Sequence, residues 1–226
     1  MRSLWQKVTR GQPPRRHVFV VTYGRSGSTL LMNILNSADG CLIRGENNNV
    51  LYHLYRSYTA LVEAQANHGR YAHEQTSAWW GIADIDTARY RQQIATLFVD
   101  SILRPEPDDR VVGFKEIRFS REDIPDLGDF LQFLYSTFED ARIVVNHRKL
   151  SDVANSKWWK RDENSIHRLE EIDSRLWSFN DPARMFHFEY DQALVDRGHI
   201  ERMFDWLGLP YDQQRVDEVM ETRHSY

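Results

Sequence analysis

Four short runs of β-branched and aromatic residues punctuate the chain: "HVFVV" (17–21), "RVVGF" (110–114), "ARIVVN" (141–146) and "ARMFHF" (183–188). Between them apolar residues return every three or four positions. The runs read as buried strands and the intervening stretches as amphipathic helices. After the first run, Leu30, Leu31, Ile34 and Leu35 share one helical stripe, and Leu51, Leu54, Tyr55 and Tyr58 share another. The same spacing predicts helices over 49–66, 86–102, 126–138, 150–160, 163–178, 198–207 and 211–222. Strands alternating with helices predict an α/β fold with a parallel sheet covered on both faces. Only the segment "NHGRYAHEQTSAWWGIADID" (67–86) breaks the pattern, with its aromatics and histidines. It reads either as a lid or acceptor wall, or as a surface excursion packed by its own tryptophans.

Composition narrows the partners. A net charge of -4 over 226 residues excludes a broad nucleic-acid surface, so any basic site is local. Cys41 is the only cysteine, which excludes an internal disulfide framework and a cysteine-rich zinc site. The histidines form no metal-binding spacing. The N-terminal stretch "MRSLWQKVTRGQPPRRHVF" is basic but lacks the apolar core of a signal peptide, and no later segment has the length of a membrane span. The expectation is a cytoplasmic protein with a flexible basic arm at 1–16. Residues 17–226 then form a single domain, because no linker or repeat divides them.

The stretch "FVVTYGRSGSTLLMNIL" (19–35) joins a strand to a helix through a loop of Gly, Ser, Thr and Arg. Such a loop aims backbone N–H groups and the positive end of the helix dipole at one point, so its natural occupant is an anion. Gly24 and Gly27 allow the tight path, and Ser26, Ser28 and Thr29 offer hydroxyl donors. Arg25 adds a fixed charge in a planar fork suited to phosphate or sulfonate. A nucleoside triphosphatase would carry Lys at position 28 and use the next hydroxyl for Mg²⁺, but position 28 is Ser. A second anion site is readable in "ARIVVNHRKLSDVANSKWW" (141–159). There a strand delivers Arg148, a helix begins near Ser151 or Asp152, and Ser156 follows the Arg by eight residues. Two separated phosphate sites point to a bisphosphorylated nucleotide.

With both anchors in view, the chain resembles the sulfotransferases that use 3′-phosphoadenosine 5′-phosphosulfate. Similarity extends to "IRGENNNVLYHL" (43–54), "VGFKEIRF" (112–119) and "IERMFDWLGLPYD" (200–212). The "TYGRSGSTLL" form lies nearer the tyrosylprotein, carbohydrate and bacterial branches than the cytosolic small-molecule enzymes. The resemblance implies a three-layer αβα fold of the P-loop type around about five parallel strands. It implies that Gly24, Arg25, Ser26, Gly27, Ser28 and Thr29 grip the 5′-phosphosulfate, that Arg148 and Ser156 grip the 3′-phosphate, and that no metal takes part.

The resemblance also implies roles in transfer. Glu46, in "RGENN", falls where a second strand would return the chain to the sheet edge, and is the expected general base; the competing reading is a cap for the helix that follows. Arg25 and Lys115 are expected to stabilise the leaving group. Cytosolic relatives place a basic His two positions after such a Lys, but here that position is Ile117, which strengthens Glu46. Glu116 is the rival base. By strand alternation Glu116 and Arg118 should face away from Lys115, in an ion pair or an acceptor contact. Trp158 and Trp159 are candidates to stack on adenine or to line the entrance, and the later Arg-Lys-Gly segment of the superfamily has no counterpart in "VMETRHSY" (219–226). The implied acceptor is a hydroxyl, with a saccharide favoured. The rival readings are a P-loop nucleotide or sugar kinase, and a nucleotide-binding protein without turnover.

Overall fold

The computed structural model describes residues 15–156 and 158–222. Strands β1 (Arg16–Val21), β2 (Cys41–Arg44), β3 (Val111–Glu116), β4 (Ala141–His147) and β5 (Met185–Glu189) form one parallel sheet in the order β2-β3-β1-β4-β5. The helices are α1 (Ser28–Asn36), α2 (Val50–His68), α3 (Thr87–Phe98), α4 (Leu127–Thr137), α5 (Leu150–Ala154), α6 (Ser165–Trp177), α7 (Tyr190–Val195), α8 (Arg197–Leu207) and α9 (Gln213–Glu221).

Alternation along β1 divides the interior. Phe19 and Val21 join Leu51, Phe98, Phe130 and Leu169 in one core, while Val18 and Val20 join Leu31, Ile34, Phe204 and Val216 in the other. Helices therefore cover both faces, giving the three-layer α/β architecture. β1 lies at the centre, with β3 on one side and β4 on the other. The winding reverses there, which opens a crevice at the carboxyl ends of β1, β3 and β4.

Several predicted boundaries move for local reasons. The helix expected over 150–160 stops at Ala154, where the Asn155 amide turns back to donate to the Ser151 carbonyl at 2.8 Å. A single tight turn follows at Trp159–Arg161. The helix expected over 86–102 changes to a wider turn at Val99–Leu103 and ends at Arg104, whose φ of 50° is left-handed. The fifth strand begins at Met185, not 183, because the Asp181 carbonyl accepts the N–H groups of Arg184 and Met185. Helix α7 carries no apolar stripe long enough to announce it. Most of the predicted basic arm, residues 1–14, lies outside the described residues. Arg15 donates to the carbonyls of Asp109 and Glu106, and Arg16 opens β1. Among the described residues no helix is long and apolar enough to cross a membrane.

β3 and β1 lie so close at Gly113 that a Cβ there would fall 1.6 Å from the Val18 carbonyl oxygen. Gly113→Ala should push the two central strands apart and lower stability by about 3 kcal/mol, read from the shift in a chemical denaturation midpoint. A loss below about 1 kcal/mol would mean that the sheet centre yields freely.

Candidate active site

The loop between β1 and α1 is fixed from below by buried polar groups. Thr22 Oγ1 lies 2.6 Å from the Asn146 carbonyl and 2.8 Å from Ser26 Oγ, and the Asn146 amide donates to the Ser26 carbonyl at 3.0 Å. All three residues are fully buried. Above this clamp the backbone turns through two left-handed residues, Arg25 (φ 69°) and Gly27 (φ 83°). Strain of this kind in a non-glycine residue persists only where its surroundings over-determine it. The glycines are needed largely because rings cover them. A Cβ at Gly24 would meet the Trp158 ring, and one at Gly27 would meet the Tyr190 ring.

Helix α1 starts at Gly27 with no side-chain cap and no acidic residue in its first turn. Its leading N–H groups and dipole are thus left for an external anion. They open on a cleft of about 370 Å³ lined by Arg25, Gly27, Ser28, Thr29, Glu46, Lys115, Ile117, Arg118 and Trp158. Arg25 is exposed to it, whereas Ser26 is buried and serves the clamp.

β3 delivers the two ionisable candidates to opposite faces. Lys115 is buried, and its Nζ donates to Glu46 Oε1 at 2.5 Å. Glu46 follows β2 and keeps its carboxylate in the mouth of the cleft. The helix-capping alternative gains no support: α2 has no side-chain cap at its N-cap residue Asn49, the Val50 N–H goes to Asn47 Oδ1, and the turn before the helix is held by Glu116. Fully buried Glu116 accepts N–H bonds from Asn47 (3.2 Å) and Asn49 (3.0 Å) through one oxygen, and from Ile117 (2.9 Å) through the other. This carboxylate holds the turn before α2 and does not line the cleft. Arg118 departs from the alternation expected of it. β3 ends at Glu116, so Arg118 swings into the same cleft as Lys115 and donates to Asn48 Oδ1.

The second anchor sits beside the first. Arg148 follows β4 and donates from Nη1 to the Arg25 carbonyl at 3.1 Å, with its guanidinium 4.6 Å from the centre of the Tyr190 ring. Its Nε is buried without a partner, as is the hydroxyl of Ser156 in the turn after α5. Orphaned buried donors require an explanation, and a bound anion supplies one. Trp159 donates to the Gly24 carbonyl at 2.9 Å and packs against the core, while Trp158 is 56% exposed and lines the cleft.

The aromatic segment 67–86 does not line this cleft. It packs on the far end of α2, where His68 stacks on Trp79 and Gln65 donates to the carbonyls of Ile82 and Ile85. α2 is 19 residues long, so this end stands about 28 Å from the helix start beside Glu116. Sequence reasoning missed Tyr190, Asn146 and Thr22 as parts of the site. Of these only Asn146 carries a signal, a polar residue closing an otherwise apolar strand.

A family model described as "Sulfotransferase family" matches residues 17–213. Among solved structures, the sulfotransferase domain from the Synechococcus PCC 7002 olefin synthase matches with a TM-score of 0.51 and 13% identity, over 98% of this chain and 82% of that one. It shows the same fold. Sulfotransferase STF1 from Mycobacterium tuberculosis H37Rv matches with a TM-score of 0.41 and 14% identity, over 93% of this chain and 72% of that one. A sugar kinase from Janibacter sp. HTCC2649 gives 0.42 and 15%, over 87% and 96%. Neither of the last two scores carries an argument. No curated protein matches significantly in sequence.

The two glutamates should separate in a stability measurement. Glu116→Gln turns an amide N–H₂ toward backbone donors and should cost about 2 kcal/mol, whereas Glu46→Gln, on a side chain 37% exposed and leaving an amide oxygen for buried Lys115 to donate to, should cost about 1 kcal/mol. Denaturant titration of both variants gives the comparison; equal losses would contradict the structural role of Glu116.

Proposed function

This chain belongs to the sulfotransferase family, and on that premise we propose that it transfers the sulfuryl group of 3′-phosphoadenosine 5′-phosphosulfate to an acceptor hydroxyl, with Glu46 as general base. The observation that carries this reading is the pairing of Glu46 with Lys115 at 2.5 Å inside the cleft that Arg25, Ser28 and Thr29 also line. A proton acceptor and an anion cradle occupy one cavity. The residues present fit the donor at both ends. The uncapped start of α1 and Arg25 suit a 5′-phosphosulfate, and the unpartnered Arg148 Nε and Ser156 Oγ suit a 3′-phosphate.

When bound, the donor supplies the sulfuryl group and a phosphate that leaves. The acceptor oxygen bonds to sulfur as the sulfur–oxygen bond to that phosphate breaks in line. Glu46 takes the acceptor's proton on the carboxylate that Lys115 holds in the cleft. Arg25 and Lys115 place positive charge where negative charge grows on the leaving oxygen, and the Ser28 and Thr29 hydroxyls add donors. Ser28, where a P-loop kinase has its lysine, disfavours Mg²⁺–ATP chemistry. For the acceptor we assign a saccharide hydroxyl, since the exposed Trp158 ring beside Glu46 offers a flat face on which a sugar can lie.

In a sulfate-transfer assay over a panel of saccharides, Glu46→Gln should lower kcat by about 10²–10⁴-fold. Calorimetry should find its affinity for adenosine 3′,5′-bisphosphate nearly unchanged. Full activity in Glu46→Gln would remove it as the base, and a preference of the wild type for ATP–Mg²⁺ over the bisphosphate would overturn the donor. Arg148→Ala should weaken the bisphosphate by about 10–100-fold while sparing adenosine 5′-monophosphate. Equal weakening of the two nucleotides would make Arg148 a structural residue.

A further inference from the structure

Behind Arg148 lies a chain of buried and half-buried polar groups that the transfer step does not use. His147, the last residue of β4, has Nδ1 2.7 Å from Asp173 Oδ1 on α6 and Nε2 2.9 Å from His187 Nδ1 on β5. His187 Nε2 in turn lies 2.9 Å from the Phe179 carbonyl. Trp177 stacks on both imidazoles. Asp173 Oδ1 also lies 3.1 Å from the Tyr23 hydroxyl, which accepts the Arg148 N–H at 3.1 Å. Tyr23 belongs to the anion-binding loop, so its hydroxyl ties that loop to the second anchor.

The protons in this chain can be counted. His187 Nε2 faces a carbonyl and must carry hydrogen. One hydrogen must lie between the two imidazoles, on either ring. His147 Nδ1 faces a carboxylate oxygen, and two lone pairs at 2.7 Å would repel, so a hydrogen lies there as well. Each of the three contacts made by the two rings is thus bridged by a hydrogen. Burial, opposed by the Phe179 carbonyl, lowers the His187 pKa from its ordinary value. Burial, followed by the nearby Asp173 charge, raises the Tyr23 pKa, so its hydroxyl keeps its proton.

We propose that Asp173, hydrogen-bonded to His147 and linked through Tyr23 to Arg148, sets the spacing between loop 24–29 and Arg148, and so fixes the preference for a nucleotide phosphorylated at both 3′ and 5′ positions. Asp173 is a positioning residue: it touches Tyr23 and His147, and reaches Arg148 through the Tyr23 hydroxyl and through the backbone at His147, which Arg148 follows directly. The inference rests on the donor reading above.

The charged and titratable groups that face this cluster are Tyr23 from the loop, Arg148 after β4, Asp173 on α6, His187 and Glu189 on β5, and Asp191 on α7.

The test is calorimetry with adenosine 3′,5′-bisphosphate and adenosine 5′-monophosphate, taking the ratio of their affinities. Asp173→Asn and Tyr23→Phe should each lower that ratio about tenfold. Asp173→Glu, which keeps a carboxylate acceptor for Tyr23 and His147, should recover part of the ratio. An unchanged ratio in the folded variants, with bisphosphate binding intact in the wild type, overturns the proposal alone. Wild type that binds neither nucleotide overturns the donor reading and the proposal with it. Nitrogen-15 spectra of the wild type, assigned with His147→Gln and His187→Gln, should show hydrogen on His147 Nδ1, toward Asp173; a bare Nδ1 would overturn the link even if no Asp173 variant folds.

Discussion

A buried amide is the constraint on which the rest of the site depends. Asn146 closes β4 with its side chain on the Ser26 carbonyl and its own carbonyl beside the Thr22 hydroxyl. Neither partner can leave without stranding polar atoms in a fully buried place, where each unsatisfied group costs about 1–3 kcal/mol. The loop is therefore bound to the neighbouring strand before any ligand arrives. Its curvature, its left-handed Arg25 and the outward aim of the α1 N–H groups follow from that attachment. Preorganised donors of this kind need little rearrangement when charge develops.

Strand pleating then assigns the acidic groups their work. On β3, Lys115 faces α1 and the cleft, and Glu116 faces α2 and the backbone of the turn before it. One carboxylate, Glu116, is buried and accepts three backbone N–H bonds, which suits an architectural role. The other, Glu46, has a single strong partner and remains open to the cleft. Aromatic rings impose a similar division on the glycines. Trp158 and Tyr190 lie where side chains at 24 and 27 would have to be, so the loop is thin because its neighbours are wide.

Much of this was legible in the sequence. The strands announced themselves because buried parallel strands are short and apolar, and the anion loop because Gly, Ser and Arg between a strand and a helix have few other uses. Glu46, Lys115, Arg25 and Arg148 do converge on neighbouring parts of the sheet edge. What failed depended on relations the chain order hides. Nothing in "KEIRF" reveals that β3 ends before Arg118, and nothing in "NHGRYAHEQTSAWW" reveals that α2 carries those aromatics away from the cleft. Tyr190 and Asp173 escaped notice because their partners lie far off in the chain, and a tyrosine or an aspartate on a helix looks ordinary alone.

The central place of β1 has a consequence for how the protein is made. β1 is the first strand to emerge during synthesis, yet its partners are Val111 onward and Ala141 onward. At about 5–20 residues per second, the strand waits on the order of ten seconds before β4 exists. During that interval a run of Val and Phe has no sheet to join, and α1 has no floor beneath it. Parallel pairing across such separations is slow and exposes the chain to aggregation. The same arrangement that gathers the anion-binding groups at one edge makes newly made β1 and α1 the part of this sheet most dependent on protection by the ribosome or a chaperone.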